Sequence, residues 1–406
     1  MDLRKTNAPI SHLLTLAVGI CLQIMLAGCA GIVPSASLSP SPTGAGSPPA
    51  TGAGSSPTAP GGTPGSGAPP STPSAPPQSA TFIFVKNSGA GTGLQVLRFN
   101  DNGSIVPVSG TPFPYNSQSL GIAGHFLLAG PRGQIATYSD DPNSGTPKQV
   151  STFVKGGFSA AGDDHFVYAG DENAIYGYSL LDGQLAALAG FPVGVLANPC
   201  ICATPLYGSL AIRQGYLFYS TSAGHAGSSF SVQKIQADGS LGTATTGSSG
   251  APSAAINVTP DGRFVYLADG SKPSLTVTPF DSASGKLGVA EPVGPDSLFD
   301  LGAIDPGSQF LITRQYVPTS GIGFYRIDPK TGHLTLAALS SEAGTPEAID
   351  PSGKYLLTFE NPTQLTYAIG VFAIDANTGN LSRIGSYPLG SYSNDYAPAG
   401  FIVAKF

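Results

Sequence analysis

The sequence predicts an all-β fold, a seven-bladed β-propeller of four-stranded antiparallel blades closed by the C-terminal strand in blade one. Three observations carry this: seven glycine turns at a long regular period, short apolar runs before each turn, and a lone strand at the C-terminus. Each has a physical basis in turn chemistry, strand patterning and the need to cover sheet edges.

The turns come first. They are Asn102-Gly103-Ser104-Ile105, Ser144-Gly145, Asp182-Gly183-Gln184-Leu185, Asp238-Gly239-Ser240-Leu241, Ser284-Gly285-Lys286-Leu287, Thr331-Gly332-His333-Leu334 and Thr378-Gly379-Asn380-Leu381. Successive glycines are 42, 38, 56, 46, 47 and 47 residues apart. Glycine after Asp or Asn supplies the positive φ that tight hairpins need.

An alternating strand precedes many of these turns, as at 94–100, 174–179, 275–280, 322–327 and 369–374. Upstream lies a more apolar run in every unit: 82–85, 126–129, 166–169, 216–219, 264–268, 310–313 and 355–359. Runs this short, bounded by Gly, Pro and Asp, read as strands. Several units open with a further strand that ends in Pro260-Asp261-Gly262, Asp305-Pro306-Gly307 or Asp350-Pro351-Ser352-Gly353. The order is strand a, turn, strand b, loop, strand c, glycine turn, strand d, which is a propeller blade.

The first unit starts at Thr81 with strand b and lacks strand a. A strand over 400–406 follows the last complete unit. It is expected to supply the missing strand, which ties the two ends together and removes an open edge.

The chain has 406 residues in three segments: 1–28, 29–80 and 81–406. Arg4 and Lys5 precede an apolar stretch over 13–27, too short for a membrane span and suited to a signal peptide. It ends in Leu26-Ala27-Gly28-Cys29, which matches the lipobox of bacterial lipoproteins and implies lipidation of Cys29. Acyl chains then make the membrane a partner, at about 0.8 kcal/mol per buried CH₂. Ala30 after the cysteine favours the outer membrane of the cell envelope, on its periplasmic or its surface-exposed face. Residues 30–79 hold no charged or aromatic side chain, so they are expected to stay unfolded as a tether. The ends of such a coil lie roughly 40 Å apart, and about 160 Å at full stretch.

Charged residues make up 10% of the chain and formal net charge is −6. With no basic cluster beyond the extreme N-terminus, a nucleic-acid partner is excluded as an expectation. A closed ring needs no second copy to finish its core, so a monomer is expected. No motif calls for a cofactor or a metal.

The run Thr259-Pro260-Asp261-Gly262-Arg263-Phe264-Val265-Tyr266-Leu267-Ala268 resembles the blade motif of lactonase-type seven-bladed propellers, the 6-phosphogluconolactonase-like family. Asp350-Pro351-Ser352-Gly353-Lys354-Tyr355-Leu356-Leu357 is similar to it. The segments 325–334 and 372–381 resemble the family's strand c to d passage. The resemblance implies a lactone hydrolase with His, Arg and Glu on inner strands. The equivalent stretches here, Pro252-Ser253-Ala254-Ala255, Pro346-Glu347-Ala348-Ile349 and Pro398-Ala399-Gly400-Phe401, hold no His or Arg. No catalytic residue is therefore carried over.

The loops expected at the channel mouth present Arg132, Asp171, Glu172, His225, Asp269, Arg314, Tyr316, Glu360 and Asp395. Arg132, Glu172, His225, Arg314, Glu360 and Asp395 are the candidate catalytic or ligand-binding set. His125, His165 and His333 sit in turns. Cys200 and Cys202 lie two apart in an oxidising compartment; a strained disulfide, a free pair and a metal or redox site are all open. On sequence alone the leading function is a lipid-anchored propeller presenting a binding face to an envelope protein or glycan. The alternative is the lactone hydrolase.

Overall fold

The computed structural model describes residues 79–87, 93–157, 159–171, 174–194, 210–222, 228–248, 256–269, 274–293, 299–315, 320–363, 366–391 and 398–406. All belong to the second of two compact units, residues 73–406. Among the described residues every regular element is a strand.

The strands form a propeller arrangement of antiparallel sheets. The first sheet runs Ile105–Pro107, Gln95–Phe99, Thr81–Asn87, Pro398–Lys405 from outside to inside. The C-terminal strand thus closes the first blade as expected, in the register Thr81↔Lys405 to Val85↔Phe401. Reciprocal backbone bonds between Ala80 and Phe406 extend that pairing by one step. Phe82, Phe84 and Phe406 pack their rings together behind it, so the closure is apolar as well as hydrogen-bonded.

Five sheets of four or five strands stand apart as blades, fewer than the seven expected. The second and third units share one ten-stranded sheet, in which Ser119–Ala123 runs parallel to Ser159–Gly162 and pairs at Ala123↔Gly162. Small side chains explain the merger. A Cβ on Gly121 would lie 2.2 Å from the Ala160 carbonyl oxygen, and one on Gly162 would lie 2.3 Å from the Ala123 Cβ. With no side chains between them, these two inner strands come close enough to hydrogen-bond.

The turn glycines have a second role. Gly103, Gly145, Gly183, Gly239, Gly285, Gly332 and Gly379 all have φ between +69° and +80°. Six of them also press on the first aromatic of the preceding unit's strand b: Gly145 on Phe82, Gly183 on Phe126, Gly239 on Phe166, Gly285 on Tyr216, Gly332 on Phe264 and Gly103 on Tyr355. Hydrogen bonds follow the same seams. Tyr168 donates to the Gly239 carbonyl and Tyr266 to the Gly332 carbonyl, each at 2.7 Å. Tyr355 donates to the Asp101 carbonyl at 3.0 Å across the closing seam. Hairpin chemistry and blade-to-blade packing are therefore one device.

The innermost strands succeed one another around a circuit. Pro398–Lys405 touches Ser119–Ala123, which touches Ser159–Gly162, which touches Leu210–Arg213. Tyr216–Ser222 leads on to Ile256–Val258, then Phe299–Ile304 and Thr345–Ile349, and so back to Pro398–Lys405. These strands are short and rich in Gly, Ala and Ser, which lets them converge on an axis.

Candidate functional site

The expected site residues separate. Arg132 lies in the turn after Phe126–Gly130 and is exposed; its backbone N–H donates to Gln118 Oε1 at 3.1 Å. Asp171 is tied into its own loop, accepting from the Ala174 N–H at 2.9 Å and from the Tyr176 hydroxyl at 2.7 Å. Glu172, His225, Tyr316, Asp395, the Cys200 and Cys202 pair and Cys29 lie outside the described residues.

Glu360 is described, and it braces its own blade. It is buried on Tyr355–Thr363, where Arg383 of the outermost strand grips it from Nη1 to Oε1 at 2.9 Å and from Nη2 to Oε2 at 2.7 Å. Thr358 Oγ1 donates to Oε1 at 3.2 Å. Gly370 on the intervening strand makes room, since a Cβ there would stand 2.1 Å from Oε1. A fork-to-fork pair of this geometry holds sheet strands together.

Arg314 points the other way. On Phe310–Gln315 it is half-buried, and Nη1 donates to Thr345 Oγ1 at 3.2 Å on the neighbouring blade's inner strand. Two residues along that strand is Glu347. The register slips between Pro346↔Thr358 and Ala348↔Leu357, so Glu347 is the bulged residue. A bulge re-aims its side chain. The carboxyl hangs over Gly400 of the closing strand, where a Cβ would lie 3.1 Å from Oε2. Gly400 takes φ of +122°, a conformation open to glycine and costly for other residues.

Lys86 falls at the irregularity between Val85↔Phe401 and Asn87↔Pro398, where the closing strand carries the extra residue opposite it. Burial pulls its ammonium below the ordinary lysine value, and the nearby Glu347 charge partly restores it. Burial pushes the Glu347 carboxyl up to about 7, with Lys86 opposing the shift. Both groups are thus drawn towards neutrality by the same poorly hydrated wall. Arg314 with Thr345, and Glu347 with Lys86, are two polar pairs that link three successive blades. Among the described residues, no three His, Cys, Asp or Glu side chains are grouped so as to hold a metal.

Solved structures share this architecture. A protein from Bacteroides uniformis assigned as a 6-phosphogluconolactonase matches with a TM-score of 0.60 at 17% identity, over 81% of this chain and 99% of its own. A periplasmic gluconolactonase from Pseudomonas aeruginosa matches with a TM-score of 0.60 at 19% identity, over 80% and 98%. A Bacteroides fragilis protein, likewise assigned as a 6-phosphogluconolactonase, matches with a TM-score of 0.60 at 17% identity, over 83% and 100%. The chain has the fold of the 6-phosphogluconolactonase-like β-propellers. No family model and no curated protein sequence matches it. At these identities the likeness is one of fold, and function has to be argued from the site.

Of the described members of the sequence-derived set, only Arg314 lies near Glu347, through its bond to Thr345. Glu347 and Lys86 lie on strands and not in the loops where the sequence places the expected set. One signal pointed to Glu347: among the three proline-led inner stretches compared, it is the only charged residue.

Proposed function

We propose that this chain is a lactonase-type hydrolase acting in the channel of a seven-bladed ring, held at the cell envelope by lipid on Cys29. The observation that carries the hydrolase reading is Glu347, the bulged residue of an inner strand, lying over Gly400 and coupled electrostatically to Lys86 of the adjoining blade. Ester hydrolysis at neutral pH needs a group that can take up and return a proton, and a carboxyl near 7 is matched to that task. The likeness to propellers assigned as lactonases supports the same class of reaction.

The count of seven reads the ten-stranded sheet as two blades. Seven glycine hairpins and the circuit of inner strands support it. The envelope placement rests on Leu26-Ala27-Gly28-Cys29. The hydrolase reading is preferred to a purely presenting face because the solved neighbours include propellers assigned as lactonases.

The test is a pH-stat assay of the full chain, purified in detergent, against a panel of γ- and δ-lactones. Turnover of at least one, with kcat/KM reduced about a hundredfold in Arg314→Ala, is expected. No turnover across the panel would reject the reading. For the anchor, intact mass should show acylation in the wild type, and Cys29→Ser should lose both the added mass and membrane retention. An unacylated wild type would remove the anchor from the proposal.

A further inference from the structure

We infer that a cleft on the outer wall, where the last blade meets the first, binds a neutral pyranose sugar. The site stands apart from the channel, and nothing in it depends on the hydrolase reading.

The cleft is the product of a bulge. On the outermost strand of the last blade, Leu381–Ser391, the register steps from Val371↔Gly385 to Phe372↔Arg383, so Ile384 is the extra residue. Arg383 lies over the Phe372 ring, on the side that packs against the preceding blade. Val371 and Ile369 pack with Ile83 and Leu97 of the first blade. Gly385 and Tyr387 are opposite them in the register and so face that seam. A strand alternates its side chains, and the bulge interrupts the alternation. Ile384 therefore turns to the first blade as well, where a Cβ on Gly103 would lie 2.3 Å from its Cδ1. Gly385 then withholds a side chain, and nothing lies within 4 Å of where its Cβ would stand. The result is a cavity of about 270 Å³, bounded by Val371, Ile105, Ile384, Tyr387, Asn102 and Ser104.

The lining selects the ligand. None of the lining residues carries a charge, so a phosphate, sulfate or carboxylate finds no counter-ion. Sites for drug-sized molecules run to roughly 300–1,000 Å³, and this smaller space holds a single ring rather than an extended chain. Its polar groups are fixed in place. Asn102 Oδ1 accepts from the Ser104 N–H at 3.0 Å and from the Ser104 hydroxyl at 2.7 Å. That leaves the Asn102 amide nitrogen as an oriented donor with no partner among the described residues. The Tyr387 hydroxyl likewise has no hydrogen-bond partner among them. A pyranose matches both halves of this surface. Its C–H face meets Ile384 and the Tyr387 ring, and its hydroxyl groups can accept from Asn102 and exchange hydrogen bonds with Tyr387. A hydrocarbon would leave the two polar groups desolvated and unmatched. The two walls come from opposite ends of the folded chain, so a bound sugar should also stabilise the closed ring.

The experiment is ligand-observed NMR on the full chain in detergent, with the methyl glycosides of glucose, galactose, mannose and N-acetylglucosamine. At least one should bind with a Kd on the order of 1 mM, and the 6-phosphate of the same sugar should bind no tighter. Gly385 does not take positive φ and has open space around it, so Gly385→Val should fold and fill the cavity. It should weaken binding at least about tenfold. Tyr387→Phe, which removes one hydroxyl and keeps the ring, should weaken it about fivefold. Both variants should unfold at the wild-type temperature in the absence of sugar. Failure of all four glycosides to bind would overturn the inference, as would tighter binding of the phosphorylated sugar. Binding that is undiminished in both folded variants would place the sugar elsewhere and overturn it too. Cyclohexanol is the apolar control. If it binds more tightly than every glycoside and is lost in Gly385→Val, the cleft takes an apolar ligand and the sugar class is wrong.

Discussion

Glu347 and Glu360 belong to the same blade, thirteen positions apart, and they have opposite fates. Glu360 lies on the second strand with a bidentate arginine across the sheet. Glu347 lies on the inner strand, at a bulge, beside a lysine that is itself poorly hydrated. Fixed donors satisfy the buried Glu360, which becomes a strut. Glu347 has no hydrogen-bond donor among the described residues, and burial pushes its carboxyl up to about 7. What separates them is the side chain that the fold places within reach, and the bulge that re-aims Glu347.

The sharpest way to break this contrast is to remove the strut's partner. Arg383→Met leaves Glu360 buried with its charge unmatched and should cost about 3 kcal/mol in denaturant unfolding at pH 7. Adding Glu360→Gln should recover most of that loss; if the double variant is no better than the single, Glu360 is not held as described.

A second effect, about 2 kcal/mol, is expected for Gly332→Ala. The new Cβ meets positive φ and the Phe264 ring together. Gly133→Ala, with positive φ but open space around it, should cost about 1 kcal/mol. Equal losses at the two sites would mean that the glycine–aromatic seam adds nothing to stability.

Asp140 offers a third acid for the comparison. Both its oxygens are buried with no hydrogen-bond partner, and burial pushes its carboxyl up to about 7. The unfolded chain releases this proton near pH 4, whereas the folded protein keeps it until about 7. Wild-type stability should therefore fall as pH rises across that window and level off above it. Asp140→Asn should remove that slope, gaining stability at pH 8 and little at pH 4. An unchanged slope would show that Asp140 is hydrated in solution.

The smallest effect is expected where both partners are exposed. His333 Nε2 meets Glu291 Oε2 at 2.8 Å, with about half of each side chain in solvent. His333→Ala should shift stability by less than about 0.5 kcal/mol at any pH from 5 to 8. A larger change would place that pair with the struts.

Most of the fold was legible in the chain because turn chemistry is local. All seven predicted glycines adopt the left-handed conformation their turns require. The C-terminal strand was also legible, because a unit that starts without its inner strand needs one from elsewhere. The fusion of the second and third units was not, since it depends on Gly121 and Gly162 meeting residues about forty positions away. The site was the least legible part. Arg314 was expected at the channel mouth and does lie near Glu347, whereas Glu360 was expected there and is turned into its own sheet.

By itself the sequence determined the strand order, the hairpins, and the way the ends would be joined. Each of these depends on residues within a few positions of one another, or on a strand that one unit lacks. Only the tertiary structure decided which charges meet. Lys86 and Glu347 are separated by most of the chain and approach through bulges in two strands, and a bulge depends on how facing strands pair, which single-strand patterning does not record.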